Sequence, residues 1–240
     1  MGILLTDKNA DFSANAIAYE GISTSVTNGL ISLYELRDNA KRAARNNAGK
    51  GTTATITGGT FDNTGMTVTA KGQIVFPDKP SNGGENTIAV LFKIKNGGAR
   101  IDMPLGSWLV SDNAITDGSI YFINYNRQVS LESTTHTAQN GVSYAVNKSV
   151  SLSMPSDGSL DNTYQLFIAT IKSENALTLY RPANNTSSTV ALATGQFAYY
   201  NQNATYNNFQ ALGNGTTAHT LGLFAHWNRV LTSQEISTFY

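Results

Sequence analysis

Cysteine is absent from this chain of 240 residues, so neither disulfide staples nor thiolate chemistry is available to it. Charge is scarce: Asp, Glu, Lys and Arg make up 13% of the residues, and the two signs cancel to a net charge of zero. No long-range field therefore steers the chain toward nucleic acid or an anionic membrane. No apolar run approaches the roughly 20 residues that cross a bilayer, so no membrane insertion is expected. The opening Met1-Gly-Ile-Leu-Leu-Thr-Asp7 has neither a basic start nor a long apolar stretch, and a secretory leader is not expected from it. A protein of this kind that acts outside the cell would leave by another route, such as release of virions on lysis. The 3 histidines, His136, His219 and His226, are not spaced as a metal-ligand set. No glycine-rich loop follows a strand and opens a helix, which excludes that phosphate cradle.

What the chain does have is 40% apolar residues, arranged in short runs between polar turns. Strands are expected at Thr52–Gly58, Met66–Phe76, Thr87–Lys95, Ala99–Met103, Ser119–Asn126, Gln128–Glu132, Val142–Ser153, Thr163–Lys172, Ala176–Arg181, Ser188–Thr194 and Thr220–Val230. Asn82-Gly-Gly-Glu, Asn96-Gly-Gly, Asn140-Gly and Ser156-Asp-Gly are turn sequences that separate them. Ile88, Val90, Phe92 and Ile94 share one face of their strand, with Lys93 and Lys95 on the other. So many short strands at this spacing predict an all-β, two-sheet antiparallel sandwich over residues 28–240. Residues 1–27 keep no sustained period and read as an N-terminal arm that packs on the domain or docks on a partner.

Two stretches decide how the sandwich closes. In 30–46, Leu30, Leu33, Tyr34 and Arg37 have helical spacing, and Asp38 to Arg45 contains good helix formers. We nevertheless expect a strand at Leu30–Leu36, with at most a helical turn over 38–45. The last twenty residues begin with a strand in which Leu221, Leu223, Ala225 and Trp227 alternate with Gly222, Phe224, His226 and Asn228. Both sets include apolar groups, as in a strand buried on two faces. His226 within it is expected to be a packed, hydrogen-bonded residue. Thr232 then stands three residues before Glu235, the spacing of a capping box, and Ile236, Phe239 and Tyr240 would lay a short C-terminal helix on the sheet.

These stretches also carry a resemblance. The ending Trp227-Asn-Arg-Val-Leu-Thr-Ser-Gln-Glu-Ile236, the strand Gly29-Leu-Ile-Ser-Leu-Tyr-Glu-Leu-Arg-Asp38, and the pair Asn162–Ile171 and Leu177-Thr-Leu-Tyr180 resemble segments of laminin-G-like, concanavalin A-like lectin/glucanase domains. The resemblance implies a jelly-roll topology and resolves 30–36 as a strand. The segment Leu4-Leu-Thr-Asp-Lys-Asn-Ala-Asp-Phe-Ser-Ala-Asn15 resembles the opening of small structural proteins in tailed-bacteriophage genomes. It implies a virion setting, as capsid decoration or tail component, with other virion proteins as partners and many copies or a homo-oligomer as the assembly.

A frame of this kind admits three kinds of chemistry. Jelly-roll glucanases place their acids as E-x-D-x-E on one strand face, giving carboxylates about 5–5.5 Å apart. No such triplet occurs here: Glu35 and Asp38 are three apart, and Glu132, Glu174 and Glu235 stand singly, so no catalytic residue is expected. Laminin-G-like domains often hold a rim calcium, for which Asp112 with Asp117, and Asp157 with Asp161, are the candidates. Turn formation explains the same residues equally well. Glycan binding is the strongest ligand expectation. The segment Phe197–Phe209, read as a loop, interleaves aromatics that stack on sugar C–H faces with amides that satisfy hydroxyls, and Tyr199, Tyr200, Asn201, Asn203, Tyr206 and Asn208 are its candidate contacts. Tyrosines in such a segment suit a protein interface as well. The cluster Tyr121, Asn124, Tyr125, Asn126 and Arg127 is read mainly as core and turn, His136 as part of a solvated Ser/Thr-rich loop, and Lys41, Arg42, Arg45 and Lys50 as a solvated cationic loop. The sequence thus predicts a non-enzymatic virion protein with a lectin-like domain for host surface glycans. A purely structural assembly protein is the alternative, and a glycan hydrolase the remote one.

Overall fold

The computed structural model describes residues 26–68, 73–78, 85–94, 101–106, 110–111, 114–115, 119–125, 127–137, 146–172, 176–192, 196–198, 209–212 and 219–239. In chain order the strands are β1 (Leu30–Glu35), β2 (Thr55–Thr57), β3 (Thr60–Phe61), β4 (Met66–Val68), β5 (Gln73–Phe76), β6 (Asn86–Lys93), β7 (Ile101–Gly106), β8 (Val110–Ser111), β9 (Ala114–Ile115), β10 (Ser119–Tyr125), β11 (Gln128–Thr137) and β12 (Val146–Ser153). They continue with β13 (Tyr164–Lys172), β14 (Ala176–Arg181), β15 (Thr186–Ala191), β16 (Gln196–Ala198), β17 (Phe209–Leu212) and β18 (His219–Trp227). Two helical turns interrupt them, α1 (Ala40–Ala43) and α2 (Ser233–Ile236). The chain is all-β and antiparallel, as the alternation of its sequence predicts.

One eight-stranded sheet runs β15-β14-β13-β6-β18, and β1, β4 and β3 complete it beyond β18. A five-stranded sheet runs β12-β11-β10-β7 with β16 on β11, and a three-stranded sheet runs β17-β5-β2. These sheets share one buried core. It joins Phe92, Phe167, Leu179 and Phe224 of the large sheet with Ile74 and Phe76 of β5, Val129 and Leu131 of β11, and Val150 of β12. Rings pack inside it: Phe76 stacks on Phe224 at 4.0 Å between centroids, and Tyr34 tilts against Phe76 at 5.0 Å. A second apolar cluster lies on the other face of the large sheet, where Leu33, Ala89, Leu91, Ala225 and Trp227 meet Leu231 and Ile236 of the C-terminal segment. Burial on both faces is why β6 and β18 read as near-continuous apolar runs.

Several expectations need correction. Leu221, Leu223, Ala225 and Trp227 do not share a face: Leu221 lies in the first cluster with Phe224, the other three in the second. The pairing of β18 with β6 slips between Leu221 and Leu223, so Gly222 occupies a bulge that reverses the alternation. The Gly222 carbonyl turns to accept from Leu36 N at 2.9 Å. Met66–Phe76 is not one strand, because Met66 and Val68 pair in the large sheet while Ile74 and Phe76 pair in the three-stranded one. His136 belongs to β11, opposite Phe197 of β16, so neither end of the 197–209 segment is loop. Val26, near the end of the expected arm, is fully buried, and its carbonyl accepts from Trp227 Nε1 at 2.6 Å. Residues 1–25 of the arm lie outside the described residues.

The strand at Leu30–Glu35 and the turn at Ala40–Ala43 follow the expectation, with Asn39 Oδ1 capping the latter by accepting from Arg42 N at 3.0 Å. The C-terminal capping box is present: Glu235 N donates to Thr232 Oγ1 at 3.2 Å, and Thr232 N donates to Glu235 Oε2 at 2.8 Å. Arg229 closes a fork on the same carboxylate at 2.5 and 2.8 Å, and chiefly this pair holds the Glu235 carboxyl down to about 2. A depressed carboxyl pKa stabilises the fold above the ordinary value of 4.5, and that stabilisation is lost as pH falls toward about 2. Glu235→Gln should therefore lower stability at neutral pH, with the deficit shrinking as pH drops below 4.5 in chemical-denaturation curves. A deficit that does not change with pH would contradict this assignment.

Candidate functional site

The aromatic and amide segment stands between two anchored strands. β16 pairs its residues with Thr135, His136 and Thr137 at the far end of β11, and β17 pairs with β5 in the three-stranded sheet. The chain thus leaves one sheet at Ala198 and enters another at Phe209. Tyr199, Tyr200, Asn201, Asn203, Tyr206 and Asn208 all lie outside the described residues, as do Asp112 and Asp117. A segment tethered at both ends to paired strands loses less freedom on meeting a ligand than a free one.

At the turn between β10 and β11 the structure brings together residues that the sequence reading had kept apart. Arg127 takes the left-handed conformation, φ 58°, which a non-glycine residue adopts only when its surroundings hold it. Here they do: its Nε and Nη2 donate to the two oxygens of Asp161 at 2.8 and 2.7 Å, its Nη1 donates to the Ser156 carbonyl at 3.0 Å, and its own carbonyl accepts from Met154 N at 2.7 Å. The Asp161 carboxylate raises the Arg127 pKa in turn. Gly158 lies against this pair at φ +78°, where a Cβ would stand 2.9 Å from Arg127 Nη2. Asp157 is exposed and accepts from Ser159 N at 2.9 Å, the bond that chiefly lowers its pKa. In this arrangement Arg127 pairs with Asp161 at 2.7 Å. Among the described residues no three of His, Cys, Asp and Glu converge as a metal-ligand group.

The acids nearest to a catalytic spacing are likewise occupied. Glu35 is buried and accepts from Arg42 at 3.1 Å, with Arg37 at 3.5 Å, and Asp38 meets the same Arg42 at 2.7 Å. One guanidinium thus bridges both carboxylates and folds the loop onto β1. Of the cationic run, Arg42 folds back on β1 while Lys41, Arg45 and Lys50 are exposed, as a solvated loop implies. Behind this loop, Asp78 Oδ2 accepts from Ser32 Oγ at 2.6 Å, Thr52 Oγ1 at 3.0 Å and Asn46 Nδ2 at 3.2 Å. Asn46 further ties the loop to β1: its Oδ1 accepts from Leu33 N at 3.0 Å, and its Nδ2 donates to the Ile31 carbonyl at 3.0 Å. Burial pushes the Tyr34 hydroxyl beside this network up to about 12. None of these ties was legible in sequence, because each joins residues far apart in the chain.

His226 behaves as its place in β18 implies. It is fully buried, and its Nε2 lies 2.9 Å from Asn86 Oδ1. Burial pushes its pKa from 6.5 down to about 3, so the ring is neutral and carries no acid–base role at ordinary pH.

The frame has known relatives in shape. No family model matches the chain, and no curated protein matches its sequence. Solved structures do. It is similar to the botulinum neurotoxin serotype G binding domain, with a TM-score of 0.61 and 12% identity over 88% of this chain and 50% of that one. It is similar also to the receptor binding domain of botulinum neurotoxin C/D mosaic serotype, with a TM-score of 0.59 and 12% identity over 89% and 51%. The binding domain of Paraclostridial Mosquitocidal Protein 1 gives 0.56 and 12% over 88% and 52%. The chain spans about half the length of these structures, and at such identities the likeness is one of fold.

The His226 environment makes a testable demand. An unfolded chain's histidine binds a proton below about pH 6.5, and the buried ring only near 3, so stability is full above 6.5 and declines as pH falls through that window. In NMR titrations the His226 ring should keep its neutral-form shifts from about pH 8 down to about pH 5, where an unperturbed histidine has protonated. A midpoint near 6.5 for His226 would contradict its burial.

Proposed function

We propose that this chain is a non-enzymatic recognition module, a jelly-roll domain of lectin type that attaches whatever carries it to glycans or receptors on a cell surface. The observation that carries this reading is the fold-level likeness, over 88–89% of the chain, to the binding domains just described. Two further features support it. The carboxylates that a hydrolase would need at this frame's nearest spacing, Glu35 and Asp38, are both engaged by Arg42. The tethered segment 199–208 has the aromatic and amide composition that stacks on sugar rings and satisfies their hydroxyls.

The finer form of the proposal sets the module in a bacteriophage virion, as capsid decoration or tail component, on the resemblance of residues 4–15 to phage structural proteins. The arm docks on other virion proteins, and the residues of segment 199–208 supply the glycan contacts. Many copies then multiply weak contacts into avidity. No bound cation is part of this proposal.

A glycan array probed with the whole chain tests it. Host lipopolysaccharide or capsule saccharides should give a signal that Tyr200→Ala reduces at least about tenfold, a loss of one stacked ring. Deleting residues 1–20 should leave that signal intact and abolish incorporation into particles. No glycan signal alongside lost incorporation would identify an assembly protein instead. Release of reducing ends from those saccharides would identify a hydrolase.

A further inference from the structure

We propose that Arg181 is the centre of a site for a small oxyanion, a carboxylate or phosphate group, at the connection between β14 and β15. Arg181 is the last residue of β14, and only 7% of its surface is exposed. Its Nε and Nη2 both donate to Gln165 Oε1, at 3.0 and 2.8 Å, and Gln165 is itself buried. With the Asn184 amide oriented so that both its ends are satisfied, its oxygen accepts from Arg181 Nη1 at 3.0 Å and its nitrogen donates to the Arg181 carbonyl at 3.1 Å.

Counting donors shows what is left over. A guanidinium has five N–H groups and no acceptor. Three are engaged, which leaves one on Nη1 and one on Nη2 for the oxygens of an incoming carboxylate or phosphate. The charge is left over as well. Arg42, Arg127 and Arg229 each meet a carboxylate within 4.0 Å, but among the described residues none reaches Arg181. The sequence contributes to this: from Pro182 to Asn228 it contains no Asp, Glu, Lys or Arg. Amide dipoles alone solvate the cation, and desolvating a guanidinium without a counter-charge is costly to a fold. Burial accordingly lowers its pKa.

Access comes from the connection itself. Pro182–Asn184 form a 3-10 turn, Asn185 follows in the left-handed conformation at φ 52°, and Ala183, Asn184, Asn185 and Thr186 are all exposed. An anion arriving from that side would meet the two remaining N–H groups and supply the missing charge. The site needs nothing from segment 199–208 and stands apart from the glycan reading.

Inorganic phosphate is the first probe, titrated against chloride at equal ionic strength and followed by thermal unfolding and calorimetry. Wild type should bind it, and Arg181→Met, which keeps the stem and removes the charge, should bind at least about tenfold more weakly. Tyr200→Ala should bind phosphate as wild type does. Equal phosphate binding by wild type and Arg181→Met, or none by either, overturns the site. If Arg181→Met does not fold, the Arg181 Nε–Hε resonance of the wild-type chain decides: a shift with phosphate but not chloride supports the site, and none overturns it. Glucose 6-phosphate separates the sources. Tighter binding than phosphate points to an anion borne on a saccharide, and equal binding to a free oxyanion.

Discussion

The structure depends on the burial of one strand from every direction. β18 pairs with β6 along one edge and with β1 and β4 along the other, and every residue from Thr220 to Trp227 is buried. Its backbone groups are satisfied by neighbours on both sides, which a strand this deep requires. Its side chains serve two cores at once, Leu221 and Phe224 toward the other sheets, Leu223, Ala225 and Trp227 toward the C-terminal segment. The Gly222 bulge lets one strand do both. Because the strand is continuous with the capped turn at Thr232, the same residues fix where Leu231 and Ile236 cover the outer face.

A chain without cysteine must hold its loops by other means. Here long-range hydrogen bonds take that part. Asn46 and Asp78 bind the loop after β1, Arg127 with Asp161 binds the β10–β11 turn to the 154–162 loop, and Arg229 with Glu235 binds the end of the chain. The first two sets of ties join groups 13 or more residues apart and the last closes a turn six residues long, so the rims are fixed to the sheets. Loops on a scaffold held this way can present ligand contacts at little ordering cost.

Sequence reasoning succeeded where a pattern is local. The capping box at Thr232 and Glu235 and the shared face of Ile88, Val90, Phe92 and Ile94 are each written in neighbouring residues, whereas the strand at Leu30–Glu35 runs against helical spacing and followed from the resemblance. It failed where a non-local contact overrides the pattern. The isolated Gly222 is the local sign of a bulge, but the slip itself exists only against β6. The break between Met66–Val68 and Gln73–Phe76 is a choice of partners, His136 becomes strand only because β16 lies beside it, and Arg127 finds Asp161 across a fold that its own turn does not encode. The candidate glycan contacts were legible as composition, and composition specifies chemistry without geometry.

Among the described residues β18 is paired on both edges and buried on both faces. Native-state hydrogen exchange measures this enclosure directly, because an amide paired inside such a strand exchanges only when the whole domain opens. The account predicts that Leu223, Phe224 and Ala225 exchange at the rate of global unfolding, while Ser187 and Thr189 of the edge strand β15 exchange far faster. Exchange at Phe224 as fast as at Thr189 would contradict it.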